Sequence, residues 1–327
     1  MLLGLLATLL LVIVAIGLFL TQPLFSVAKR SEIAAVNPES LRTWVAALNG
    51  LAPRSVERPA NLGKAADFIA GELARSGARI SGQDVPFERA VYRNIVASFG
   101  PETPDRIVVG AHYDAYDLFP GADDNASGVA GLLALARLLG SRPLPVRVDI
   151  VAFALEEPPA FGGPEMGSAV HASALRAARI PVRAMICLEM IGCFSDRPGS
   201  QTFPIPLLRA FYPSRGNFIA VVGRPSETAL VRRIKGSMRS ASDLPVRSIN
   251  APRRLLGVDL SDHASYWNAG YPAVMITDTA FYRNDRYHTE RDTPETLDYA
   301  RMTKVVQGVF AAVCDLAGQT PDGAEAR

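Results

Sequence analysis

The chain has four histidines, His112, His171, His263 and His288, and any metal site built on imidazole must draw on them. Two of them sit among acids. His112 lies in Ala111-His112-Tyr113-Asp114, and His288 lies in Tyr287-His288-Thr289. Between them come the loop Gly121-Ala122-Asp123-Asp124-Asn125-Ala126-Ser127-Gly128, the pair Glu156-Glu157, and Glu189. Two histidines with three carboxylates make a borderline-hard donor set of the kind zinc takes. A pair of cations about 3.5–4 Å apart needs an anionic bridge, and one carboxylate can supply both oxygens. Asp123, on its glycine-flanked loop, is expected to be that bridge, leaving one histidine and one glutamate for each cation. Asp114, two residues after His112, could accept the other ring N–H and fix the tautomer. One member of Glu156-Glu157 can bind metal while the other stays free to take a proton from water and return it to a leaving amine.

Each piece alone reads blandly. A Glu-Glu pair is commonly a solvated loop, and Asp-Asp-Asn before a helix is commonly a cap. Their shared placement carries the inference. The spacing predicts strands at Arg106–Gly110, Val146–Leu155, Val182–Leu188, Asn217–Gly223 and Pro272–Thr277. Helices are expected at Asn61–Gly77, Ser127–Leu139 and Gly167–Ala178, with a last one within Pro294–Leu316. Alternating strands and helices predict an α/β fold, a mostly parallel mixed sheet flanked by helices in three layers. Ligands in such folds lie at the carboxyl ends of strands. His112, Glu156-Glu157 and Glu189 each directly follow a predicted strand, and His288 lies in the loop after the last.

With 34 Lys+Arg against 32 Asp+Glu, the net charge of +2 gives no reason to expect a nucleic-acid partner. A hydrophobic content of 49% excludes a disordered chain. Three cysteines cannot build a disulfide framework. No charge occurs before Lys29, and Leu2–Leu20 is almost unbroken apolar sequence. Nineteen helical residues reach about 28 Å, close to a bilayer's hydrocarbon core. Residues 1–25 are therefore expected to be a transmembrane anchor, or else a signal segment, followed by a linker over 26–40. A single domain is expected over 41–320, with a tail over 321–327. The domain is expected outside the cytoplasm, periplasmic or extracellular, although Lys29 and Arg30 argue the other way.

The succession AHYD, GADDNASG, ALEE, CLEM and SDHASYW…YHT…DT resembles the co-catalytic zinc aminopeptidases, family twenty-eight of the metallopeptidases, over roughly Asn61–Leu316. The resemblance implies a zinc exopeptidase-like sandwich holding two zinc ions and acting on peptides, most simply as an aminopeptidase. His112 and Glu189 would hold one ion, Glu157 and His288 the other, and Asp123 would bridge. The Asp123–Asp124 peptide would be cis, Glu156 the general base, and Asp114 the partner of His112. A water between the two ions would be the nucleophile. Where many members carry aspartate this chain has Glu189. Alternatives are a carboxypeptidase, a glutaminyl cyclase-like acyltransferase and a non-catalytic protease-like ectodomain.

Other residues have more ordinary readings. His171 reads as surface or core, and His263 as a helix cap or pocket residue. Cys187 and Cys193 read as buried thiols, and Trp267, Phe281 and Tyr282 as pocket lining or core. Arg253, Arg254, Arg283 and Arg286 read as a solvated rim, or as carboxylate-binding groups in a carboxypeptidase. The Pro- and Arg-rich segment 194–259 is expected to form loops around the cleft.

Overall fold

The structure is a computed structural model and describes residues 2–24, 27 and 35–318. The expected tail over 321–327, and Lys29 and Arg30, lie outside these residues. Helix α1 (Leu2–Thr21) is a single 20-residue helix. Among the described residues no helix is long and apolar enough to cross a membrane, so the expected transmembrane span finds no support. Many side chains in the first half of α1 lie outside those described.

The domain begins at α2 (Pro38–Asn49), which straddles the expected boundary at residue 41 and buries Leu41, Trp44, Val45 and Leu48. Asn37 caps it, its side chain accepting from the Glu39 N–H. Then come α3 (Pro59–Ala74), β1 (Arg79–Phe87), β2 (Ala90–Phe99), β3 (Arg106–His112), α4 (Gly128–Gly140), β4 (Arg147–Phe153), α5 (Gly167–Ala177) and β5 (Val182–Glu189). The chain continues through β6 (Ile219–Gly223), α6 (Thr228–Ala241), β7 (Val246–Asn250), α7 (His263–Asn268), β8 (Ala273–Thr277) and α8 (Tyr299–Ala317).

The eight strands form one sheet in the order β1-β2-β4-β3-β5-β8-β6-β7. Its centre, β4-β3-β5-β8, is parallel, as the alternation predicts. The flanks are not. The hairpin β1–β2 adds antiparallel to β4, and the pair β6–β7 lies antiparallel to β8. Segment 194–259 is thus a structural flank as well as loops, contributing β6, α6 and β7.

Alternation along β3 divides the core. Ile107, Val109 and Ala111 join the cluster that includes α2, α3, α4 and α8, while Val108 joins the one that includes α5 and α7. Strands buried on both faces need continuous apolar runs, and all seven residues of β3 are buried. Gly110 marks a close approach, since a Cβ there would lie 2.2 Å from the Phe153 ring.

Candidate metal centre

The parallel centre of the sheet ends its strands together, and the acids follow. His112 is the last residue of β3, and Glu189 the last of β5. Glu156 and Glu157 come three and four residues after β4. His288 reaches in from the loop after β8. Left-handed backbone recurs at these turns, with φ of 61° at Leu155, 48° at Met190 and 54° at His288 itself. Non-glycine residues held there are strained, and the surrounding structure must hold them.

Two clusters result, and they share one residue. His112, Asp124 and Glu189 converge, as do Asp124, Glu157 and His288. His112 Nε2 stands 3.3 Å from Asp124 Oδ1 and 3.4 Å from Glu189 Oε2. His288 Nε2 stands 3.0 Å from Asp124 Oδ2 and 3.3 Å from Glu157 Oε1. The two oxygens of Asp124 thus face different histidines. The residue between the clusters is Asp124, and this corrects the expectation for Asp123.

The correction has a physical reason. Asp124 (φ −104°, ψ 90°) and Asn125 (φ −131°, ψ 39°) leave helical geometry, and neighbouring side chains of this loop point opposite ways. The Asp123 carboxylate turns from the histidines, accepting from the Gly192 N–H at 2.9 Å and from Asn284 Nδ2 at 2.8 Å. The cis peptide is likewise Asp124–Asn125, one residue later than expected. Asp123 forms a third acidic group with Cys193 and Asp278. That group is satisfied internally, because Asp278 accepts the N–H groups of Cys193 (2.7 Å) and Ala280 (2.9 Å).

The shared cluster is not satisfied internally. His112 Nδ1 and Nε2, Glu157 Oε1 and His288 Nε2 are buried without a hydrogen-bond partner. Buried polar atoms are rarely orphaned unless an ion or water completes them. Donors about 2.0–2.1 Å from a tetrahedral zinc lie roughly 3.3 Å from one another, which matches the 3.0–3.4 Å separations here. Five carboxylates, Asp114, Asp124, Glu156, Glu157 and Glu189, are buried here with only two imidazoles. Such an excess of negative charge calls for cations. The residues fit zinc.

Electrostatics follow from this crowding. Burial pushes the Glu157 carboxyl up to about 7, helped by neighbouring Asp124. Burial also raises Glu156 well above the carboxylate range, His112 opposing and Glu157 and Glu189 adding. Burial raises Glu189 too, with His112 opposing. Burial would raise Asp124, yet the two histidines facing it hold it low. Burial would lower His288, yet Asp124 and Glu157 bring it up to about 9.

The remaining predicted residues fall into place around these clusters. Asp114 lies 3.4 Å from His112 Nδ1. Its oxygens also accept the N–H groups of Glu156 (3.1 Å) and Glu157 (2.9 Å), tying the end of β3 to the turn after β4. Glu156 belongs to neither cluster, its Oε2 standing 3.9 Å from His112 Nε2. His263 is buried against the Val258 carbonyl, and His171 against the Tyr266 hydroxyl. Cys187 is a buried free thiol 3.2 Å from Ser261 Oγ, and Cys193 is also free and buried. Arg283 is spent on the carbonyls of Cys193 and Phe218, and Arg253 on Asp259 and Asn268. Arg286 lies 3.6 Å from Asp285, and Arg254 is exposed. Trp267 is core, bonded to the Ala273 carbonyl.

Several supporting residues escaped the sequence reading. Asp292 accepts the N–H groups of Asp123 and Asp124 and so holds the loop. Asn125 accepts from Gly128 and Met190 and donates to the Leu188 carbonyl. Ser261 donates to Glu189 Oε2 at 2.6 Å. Arg54, fully buried, donates to the carbonyls of Leu48, Tyr113, Pro120 and Gly121. Asn125, Ser261 and Asp292 lie within the motifs already marked, whereas nothing around Arg54 announces it.

Beside the clusters opens a chamber of about 870 Å³ including its mouth, bordered by Glu189 and Tyr287. Leu208, Phe218, Leu255, Met275, Phe281 and Tyr282 are among its largely apolar lining. Phe281 and Tyr282 are thus pocket residues.

Fold and site together define an α/β domain that gathers a candidate metal centre at the ends of its parallel strands. The chain belongs to Peptidase family M28, whose model matches residues 94–313. It is 48% identical over 283 residues to the uncharacterized protein YfbL of Escherichia coli, covering 84% of this chain and 87% of that protein. It is 30% identical over 247 residues to leucine aminopeptidase 1 of Grosmannia clavigera, covering 71% of this chain but only 55% of that longer relative. A glutaminyl cyclase and a leucine aminopeptidase precursor of Bacteroides thetaiotaomicron share the fold, with TM-scores of 0.64 and 0.63. Each is 19% identical and covers 86% of this chain and 99% and 98% of its own, respectively. Membership supports a metallopeptidase with zinc as its metal and peptides as its substrates.

Proposed function

We propose that this chain is a di-zinc aminopeptidase that releases apolar residues from the amino ends of peptides. The observation that carries this is the pair of Asp124 oxygens, each facing a different histidine–glutamate pair. His112 and Glu189 would hold one ion, His288 and Glu157 the other, with Asp124 shared. When bound, the ions would supply Lewis-acid activation of water and of the scissile carbonyl.

The protein's own residues do the rest. Glu156, buried beside the clusters and outside both, takes the proton from the attacking water and delivers it to the departing amine. Asp114 orients His112 and pins the Glu156-Glu157 turn through two N–H groups. The surplus of carboxylates favours a protonated amino terminus over a free carboxylate. The apolar chamber receives the first side chain and excludes water from it. Arg253 pairs with Asp259 and Asn268 and so is drawn away from the anion clamp that a carboxypeptidase needs.

The fold shared with glutaminyl cyclases makes pyroglutamate formation the rival. The completeness of the second cluster, with Glu157 and His288 both on Asp124, favours the peptidase. The proposal places the domain at a membrane through α1, outside the cytoplasm. Exposed apolar side chains on that helix, such as Leu11 at 69% and Leu18 at 50%, support the attachment.

A peptide-library digest read by mass spectrometry, with and without chelator, tests the activity. Stepwise chelator-sensitive loss of apolar residues from the amino end is expected. Trimming from the carboxyl end, or loss of ammonia from amino-terminal glutamine, would contradict it.

A further inference from the structure

One face of the domain joins α1, a basic surface and one end of the apolar chamber. Helix α1 ends against the edge strand β7. Lys235 of α6, buried, donates to the carbonyls of Thr21 (2.6 Å) and Gln22 (3.0 Å) and to Ser248 Oγ (3.1 Å). Ser248 in turn donates to the Thr21 carbonyl at 2.8 Å, and Arg239 to that of Leu24 at 2.9 Å. The domain thus satisfies the last carbonyl of the helix, that of Thr21, and two carbonyls just beyond it. Higher up, Gly17 lies against the Phe211 ring, which a Cβ there would meet at 2.5 Å. The helix is therefore seated against Phe211, just after the turn Pro206–Ala210, as well as on β7.

That turn has two sides. Ile205 and Leu207 stand 40% and 52% exposed at its start. Leu208 points inward and lines the chamber. Tyr212, Arg247 and Ser248 line both the chamber and the crevice beneath Pro23 and Leu24. Around this edge Arg209, Arg232 and Arg247 are exposed and Arg239 partly so. The nearby acid Asp243 is paired with Lys304, and Asp315 with Arg233. Exposed aliphatic side chains ringed by arginine complement an anionic bilayer, where the former enter the headgroup boundary and the latter meet phosphate.

We propose that this face docks on an anionic lipid bilayer, so that the chamber opens beside the lipid interface and the enzyme acts on peptides presented at that surface. The inference rests on the attachment through α1 proposed above and extends it from the helix to the domain.

The test uses the full chain carrying Leu207→Trp, mixed with vesicles of brominated phosphatidylcholine with and without phosphatidylglycerol. Val91→Trp is the control, because Val91 is exposed in β2, near the opposite edge of the sheet. Bromine is expected to quench the tryptophan introduced at position 207 several-fold more than the one introduced at position 91, most strongly with phosphatidylglycerol. Arg209→Glu with Arg232→Glu should remove most of that excess. Should Leu207→Trp fail to fold, Ile205→Trp reads the same face. Co-flotation with quenching no stronger at 207 than at 91 overturns the docking and leaves the attachment standing. Failure to co-float overturns both, and chelator-sensitive hydrolysis of leucine amide in detergent reports on the catalytic reading separately.

Discussion

The two walls of the cleft are built on different principles. The acid wall hangs from the ends of β3, β4 and β5, and its carboxylates are held by directed bonds. Asp114 holds two N–H groups, Asp292 holds two more, and Ser261 holds Glu189. The apolar wall draws on β6, β7, β8 and the loops about them, and packing shapes its surface while bonds such as Thr202 Oγ1 to the Tyr282 carbonyl hold its loops. On the first wall a displaced oxygen breaks a donor set. On the second, a changed volume alters which side chain fits. Substitutions on the first should therefore abolish chemistry, and on the second should redirect it.

The sharpest contrast lies within the acid wall, between adjacent aspartates. Asp124→Ala is expected to lower metal content and abolish turnover, at a cost in affinity above the roughly 10–100-fold of an outer hydrogen-bond partner. Asp123→Asn should stay within that smaller range, since Asp123 holds Gly192 and Asn284 instead. Metal analysis after dialysis against graded chelator decides between them, and equal losses would dissolve the distinction. Glu156→Gln comes next. It should keep its metal and lose about 10²–10⁴-fold in kcat, and single-turnover kinetics with metal analysis would show both.

On the apolar wall the expected effect is smaller. Ala220→Leu fills part of the chamber and should cut the preference for leucine over alanine substrates by about tenfold, as a pocket does when it loses room for a methylene or two. The ratio of kcat/KM values measures it, and a fall in both rates alike would mean that the chamber does not receive the side chain.

The mildest effect is on stability. Burial lowers the His288 pKa, but Asp124 and Glu157 raise it to about 9 from an ordinary 6.5. In the metal-free chain the folded imidazole then keeps a proton that the unfolded one releases. Stability present below 6.5 is lost as pH rises toward 9. Zinc binding needs the deprotonated ligands, so its stabilisation should grow over the same interval. Thermal melts from pH 6.5 to 8 should show Tm falling without zinc and the gain from zinc rising; a metal-free Tm that rises would contradict the assignment.

The two walls also differed in how far the sequence revealed them. Acids and histidines are conspicuous just past apolar strands, because ordinary cores do not place them there. His112, Glu156, Glu157, Glu189 and His288 could all be named from that pattern. Choosing between Asp123 and Asp124 could not be done that way. Both are acids on one loop, and the choice depends on which way each side chain turns around Asn125. Beyond Phe281 and Tyr282 the apolar wall left no mark, because Leu208, Phe218 and Met275 are the residue types that fill any core. Of the flanking strands β6 was expected, while β1 and β7 were missed for a related reason: both carry polar residues along their length (RISGQDVPF and VRSIN). Nothing in the sequence marks Arg54, although four carbonyls surround it.

The direct measurement is anomalous diffraction at the zinc edge from crystals of the zinc-loaded chain. Two peaks are expected, one among His112, Asp124 and Glu189 and the other among Asp124, Glu157 and His288. A single peak, or density held by Asp123, Cys193 and Asp278 instead, would contradict the bridged pair.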